Sequence, residues 1–270
     1  SGIPQQRITM SQSIASPMTS GRMLNKVPAV TLFFWIIKVM ATTVGETGAD
    51  FLIFNVKLGL TTTSWLMGGV LVVALAAQIS ARRYIPWLYW VAVVLISIVG
   101  TLITDNLTDN FGVPLQTSTL VFGAALIAVF AAWYASERTL SIHTIVSRKR
   151  ELFYWSAILI TFALGTAAGD LVGERWALGY LVSGLIFAGG IAAVAIAYYV
   201  FKISEVWAFW LAYILTRPLG ASFGDLLSQS RANGGLGLGT TSTSVAFLVV
   251  IIALVTYLSI TKRDVDAAAG

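Results

Sequence analysis

The chain contains no cysteine and only one histidine, His143. Disulfides, iron–sulfur clusters and thiolate metal sites are therefore excluded, and an imidazole-rich metal site is not expected. Charge is also scarce: Asp, Glu, Lys and Arg make up 11% of the residues, against a globular norm of about 25%. Stretches such as "VFGAALIAVFAAWYA" show none of the polar-apolar alternation that membrane β-barrel strands require. The opening segment, residues 1–27, lacks the continuous apolar core of a cleavable signal and reads as a flexible polar tail.

Apolar residues make up 57% of the chain, and the mean hydropathy is +0.83. Apolar runs recur along nearly the whole length, each long enough to cross a hydrocarbon core of about 30 Å as a helix. The pattern predicts an all-α integral membrane protein with helices near residues 29–50, 64–80, 86–105, 117–136, 153–171, 176–201, 206–227 and 243–261. A membrane domain over 28–262 would follow the tail, with halves at about 28–140 and 150–262 and a short C-terminal tail at 263–270.

A motif recurs four times: an aromatic residue and a tryptophan, a glycine ten residues after the tryptophan, and an aspartate five after the glycine. The copies are Phe34-Trp35, Gly45, Asp50; Tyr89-Trp90, Gly100, Asp105; Tyr154-Trp155, Gly165, Asp170; and Phe209-Trp210, Gly220, Asp225. Their spacings of 55, 65 and 55 residues describe a duplication within a duplication. Two helices per copy make the repeats parallel, and a pseudo-two-fold axis along the membrane normal would relate the two four-helix halves. Arg7, Arg22, Lys26, Arg82, Arg83, Arg138, Arg148, Lys149, Arg150, Lys202, Lys262 and Arg263 fall at one end of the helices, and only Lys57, Arg175 and Arg231 at the other. By the positive-inside rule both termini are cytoplasmic and the motif aspartates lie toward the outer side.

Seven of the twelve acids cluster in the motif region: Glu46, Asp50, Asp105, Asp109, Asp170, Glu174 and Asp225. Three of the pairs have the four-residue spacing that puts both carboxylates on one helix face, where they repel. A bound hard cation, protons, or the internal bases could compensate them: Lys38 and Arg217 each lie eight residues before a motif acid, Glu46 and Asp225, a reach of two turns, and two bases cannot neutralise seven acids. Ionisable groups within membrane segments are functional candidates by default. Glu46, Asp50, Asp105, Asp170 and Asp225 are the expected metal ligands or proton carriers. Lys38, Thr42, Thr47, Thr101, Asp109, Thr166, Glu174, Arg217 and Ser222 are possible supports, the hydroxyls completing an oxygen cage. Asp109 and Glu174 have an equally ordinary reading as acids in headgroup water.

The tryptophans read as interfacial anchors or packing elements. The glycines read as points of close helix approach, with a helix break beside the aspartate as the alternative. "NGGLGLG" (233–239) lacks the lysine of a phosphate-binding loop and reads as a flexible connection, while the run at 147–150 is a topology signal and not a nucleic-acid site. No nucleophile and base pair stands out, so an enzyme is not expected, nor is a cofactor.

"WIIKVMATTVGETGADF", "SERTLSIHTI", "FYWSAILITFALGTAAGDL" and "RPLGASFGDLLS" resemble a bacterial family of membrane-anchored proteins built of tandem repeats of unknown function. Each repeat in that family has two membrane segments and a characteristic tryptophan, and the resemblance covers residues 28–262. It implies the architecture and no substrate. "GETGAD" and "AAGDLVGE" are loosely similar to the repeated helices of manganese and calcium exporters, although the spacing differs and the lysine after the aspartate is missing.

The expectation is proton-coupled export of a hard divalent cation such as manganese across a bacterial inner membrane. Membrane lipid and a metal ion or proton are the expected partners, an oligomer is compatible, and no nucleic acid is involved. The alternatives are a proton-coupled transporter of a small organic solute and a non-transporting scaffold or sensor.

Overall fold

A computed structural model describes residues 25–265. The sequence-assigned tail therefore lies outside the described residues up to position 24, Arg7 and Arg22 included, as does the chain after 265. Eight long helices and no strand are present among the described residues: α1 (Leu32–Asp50), α2 (Leu60–Ser80), α3 (Pro86–Asp105), α4 (Leu115–Glu137), α5 (Arg148–Asp170), α6 (Gly179–Tyr199), α7 (Glu205–Ser228) and α8 (Thr240–Thr261). Six of them are long and apolar enough to cross a membrane; α1 and α7, which carry Lys38, Glu46, Arg217 and Asp225 internally, are not.

Helix starts and stops follow local chemistry. The side chains of Thr31 and Ser147 cap α1 and α5 by accepting the amides of Phe34 and Arg150, which starts α5 five residues earlier than hydropathy alone predicts. Pro86 opens α3, where its missing N–H would be unpaired in any case. The glycine-rich connection after α7 is a bonded structure. Amides of Leu236, Gly237, Leu238 and Gly239 turn back onto the carbonyls of Leu226, Gln229, Leu227 and Ser228, satisfying the helix end. Gly234, Gly237 and Gly239 supply the positive φ that this reversal needs.

The odd helices form a closed inner ring in which α1 packs on α3, α3 on α5, α5 on α7 and α7 on α1. Each even helix packs on the odd helix that follows it, and α8 returns to α1. Outward faces of the even helices are apolar and exposed, as at Trp65, Val73, Ile127, Leu185 and Val249.

The repeated glycines let the inner ring close. A Cβ on Gly45 would collide with Ser97, on Gly100 with Phe162, on Gly165 with Arg217 and on Gly220 with Thr42. Each intruding side chain stands seven residues after the tryptophan of the next repeat, so the same knob enters the same hole around the ring. All four glycines are helical, which settles their role as close approach and not helix breaking. The helix deviates later: after Asp50, Asp105 and Asp170 it widens into one π-helical turn, and α7 has no such turn after Asp225.

The aromatic pairs follow the same cycle. Phe34 meets Trp90, Tyr89 meets Trp155, Tyr154 meets Trp210 and Phe209 meets Trp35, with ring centroids 5.5 to 6.2 Å apart. Three of the tryptophans are fully buried and Trp35 is half-buried, so they are packing elements and not interfacial anchors. The Tyr89 and Tyr154 hydroxyls share a 2.5 Å hydrogen bond within this plug. Both terminal segments fasten onto the same end: Lys26, buried, pairs with Glu151 at 2.6 Å, and Tyr84 donates to Asp264 at 2.6 Å. Burial and the neighbouring carboxylate push the Tyr84 hydroxyl pKa up, keeping it a donor.

Gly45→Ala and Gly100→Ala should each overpack the ring by about 1–3 kcal/mol and lower the thermal midpoint of the detergent-purified protein. Gly68→Ala, where a Cβ meets open space, should not lower it. Equal midpoints for all three variants would contradict this packing.

Candidate functional site

At the end of the ring opposite the aromatic plug lies a cavity of about 370 Å³. All seven motif-region acids, Glu46, Asp50, Asp105, Asp109, Asp170, Glu174 and Asp225, line it, together with Ile53, Phe54, Leu60, Leu115, Thr108, Asn110 and Gln229. Because each odd helix presents its aspartate five residues past the tight contact at its glycine, the four copies converge by construction. Asp109 and Glu174 are exposed at the mouth and so belong to the same cavity as the repeat aspartates.

Arg217 and Glu46 form the inner end. The guanidinium is fully buried, and its Nη2 donates to Glu46 Oε2 at 2.9 Å. The same nitrogen donates to Thr101 Oγ1 and, at 2.7 Å, to Thr166 Oγ1. Thr101 in turn donates to Glu46 Oε2 at 3.3 Å. Glu46, Thr101 and Thr166 are the residues that follow the glycine in repeats one, two and three, so one level of the ring builds the binding site for a cation donated by repeat four. Arg217 Nε and Nη1 have no partner among the described residues.

Lys38 is placed differently from the sequence-based expectation. Residues eight apart on a helix are separated by about 12 Å of rise, and Lys38 does not reach Glu46, nor Arg217 Asp225. The Lys38 ammonium is fully buried 3.8 Å from the centroid of Phe162 and 4.1 Å from that of Tyr213, and it bonds to no carboxylate among the described residues. Among the described residues the only ion pair that reaches the seven acids is therefore Arg217 with Glu46.

The supporting hydroxyls divide into two groups. Thr101 and Thr166 hold Arg217. Thr42, Thr47 and Ser222 do not line the cavity: Thr42 bonds the carbonyls of Val39 and Thr216, Thr47 the Ser244 hydroxyl at 2.7 Å, and Ser222 the Ser183 hydroxyl at 3.0 Å. Their small polar side chains join neighbouring helices at short range, a common use of Ser and Thr between membrane helices. Asn106, whose place beside the acids is legible in the sequence, bonds Ser64 at 2.7 Å and receives Asn110 at 2.8 Å near the mouth, while Gln229, which donates to Asp50 at 3.4 Å, and Asn110 are not singled out by the sequence. Their signal is an amide four or five residues after the repeat aspartate, Asn110 after Asp105 and Gln229 after Asp225. Among the described residues no three His, Asp or Glu side chains converge closely enough to hold a metal ion. A second, apolar cavity of about 520 Å³ between α1, α6 and α7, lined by Trp35, Val39 and Phe209, contains none of the motif acids. His143 is at its edge, bonded to Glu205 at 3.2 Å.

Removing one partner of a buried ion pair costs about 3–5 kcal/mol, whereas replacing both costs far less. Arg217→Met should therefore lower the unfolding midpoint strongly, and adding Glu46→Gln should recover most of the loss in a double-mutant cycle. Additive losses would show that the pair is not coupled.

No curated protein and no solved structure matches the chain. A family model described as "Repeat of Unknown Function (DUF347)" matches it four times, at residues 33–84, 88–139, 153–204 and 208–264. These matches fall on the four copies of the aromatic, glycine and aspartate motif that builds the ring and its cavity, and the chain belongs to this repeat family.

Proposed function

We propose that the protein is a proton-coupled membrane transporter of a cation, with the seven-carboxylate cavity as its binding site. The observation that carries this reading is the imbalance of charge: seven acids line one space, and among the described residues a single ion-paired base reaches them. Carboxylates so crowded repel unless cations or protons occupy them. Exchange of one for the other is the simplest cycle such a site can run. Arg217 occupies Glu46 when the site is empty. An arriving cation draws Glu46 toward the cavity, and the guanidinium stays held by Thr101 and Thr166.

In this reading all eight helices span a bacterial inner membrane, in two four-helix halves related by a pseudo-two-fold axis. Both termini are cytoplasmic, as the basic residues argue. Enclosure of α1 and α7 by the apolar helices around them supports their spanning despite internal charge. The cavity then opens to the outer side and the aromatic plug closes the cytoplasmic side. Manganese or another hard divalent ion would be held at Glu46, Asp50, Asp105, Asp170 and Asp225 through its own hydration water, as small divalent ions commonly are.

Purified full-length protein in proteoliposomes should move protons against an imposed cation gradient, read with an internal pH dye over a panel of metal and organic cations. Asp105→Asn combined with Asp170→Asn should abolish that movement. No counterflow with any cation, in vesicles where insertion is verified, would overturn the proposal.

A further inference from the structure

The carboxylates stand in tiers. Glu46 lies deepest, beside Arg217. Asp50, one turn along α1, shares the next tier with its repeat equivalents, and Asp109 and Glu174 lie one turn beyond, exposed at the mouth. Four residues of α-helix advance about 6 Å, the interval between Glu46 and Asp50, and the π-helical turns after Asp105 and Asp170 set the mouth acids closer than that to the second tier.

Toward the mouth the lining is mixed: Ile53, Phe54, Leu60 and Leu115 face the same space as Thr108, Asn110 and Gln229. A bare divalent ion gathers six or more oxygens around one point, and among the described residues no three carboxylates converge closely enough to hold one. Asp225 is a separate sign of a ligand. It is only 7% exposed, it faces the cavity, and its carboxylate has no hydrogen-bond or ion-pair partner among the described residues.

We infer that the cargo is a linear aliphatic diamine or triamine cation, with an ammonium group at successive carboxylate tiers and its methylenes against Ile53, Phe54, Leu60 and Leu115. An extended four-carbon diamine separates its nitrogens by about 6 Å at ordinary bond lengths, which matches the interval between the Glu46 and Asp50 tiers. Each ammonium offers three donors and no acceptor, suited to a wall of carboxylates contributed by four helices. The inference rests on the cation-transport reading and names its substrate class.

The test uses the full chain in proteoliposomes supplied separately with labelled 1,4-diaminobutane, n-butylamine and manganese. Saturable diaminobutane uptake at least about tenfold faster than butylamine uptake is expected, since the second ammonium adds a charge-assisted contact that the monoamine lacks. Asp225→Asn, checked for an unchanged elution profile, should slow diaminobutane uptake by a similar factor. Equal rates for the diamine and the monoamine on the unaltered protein would overturn the inference whatever the variant does. Manganese uptake without diaminobutane uptake would overturn the diamine assignment and keep the cation transporter. Movement of none of the three would overturn both.

Discussion

Everything at the centre of this molecule depends on how closely the four odd helices approach one another. The approach is set by one glycine in each repeat, whose missing Cβ admits a side chain from the next repeat: Ser97, Phe162, Arg217 and Thr42 in turn. The cycle closes because the fourth glycine receives a residue of the first repeat. Thr43 and Thr104 reinforce it by donating across the same interfaces to the carbonyls of Gly220 and Ala163. A larger residue at any of the four positions would push a helix outward and separate the charged groups one turn further along.

From that constraint the electrostatics follow. Helices drawn together at the glycines bring the next residue of three repeats, Glu46, Thr101 and Thr166, within reach of one guanidinium. Five residues past each glycine the four aspartates surround the same cavity. The other end of the ring is filled by aromatic side chains that meet in the same cyclic order. The fold therefore has a polar, open end and an aromatic, sealed end, joined by a level where Lys38 sits against Phe162 and Tyr213. The breaks in symmetry at Lys38, Glu46 and Arg217 fall between these two ends.

Much of this was legible because the motif keeps fixed spacing on helices. Tryptophan, glycine and aspartate at constant offsets must lie at constant depths and angles, so four copies imply four equivalent walls. The inward placement of the odd helices follows from their carrying every internal charge. What could not be read was the pairing between helices. Spacing along the chain suggested Lys38 with Glu46 and Arg217 with Asp225, yet side chains two turns apart do not meet, and the partner of Arg217 comes from α1. The threonines looked alike in sequence, and only the ring geometry separates Thr101 and Thr166, which face the guanidinium, from Thr42 and Thr47, which join helices. The π-helical turns after three of the aspartates left no compositional trace, and the tryptophans pack inward because each meets the aromatic residue of the preceding repeat around the ring.

The central claim is that the repeat aspartates of all four helices surround one cavity. A chain without native cysteine allows a direct measurement. Asp50→Cys with Asp170→Cys, and Asp105→Cys with Asp225→Cys, can each be spin-labelled in the otherwise unaltered protein and their separations measured by dipolar coupling in lipid. The account predicts strong coupling in both pairs, with labels reached by water-soluble and not by lipid-soluble quenchers. Labels a bundle's width apart and quenched from the lipid phase would show that the aspartates face outward and share no site.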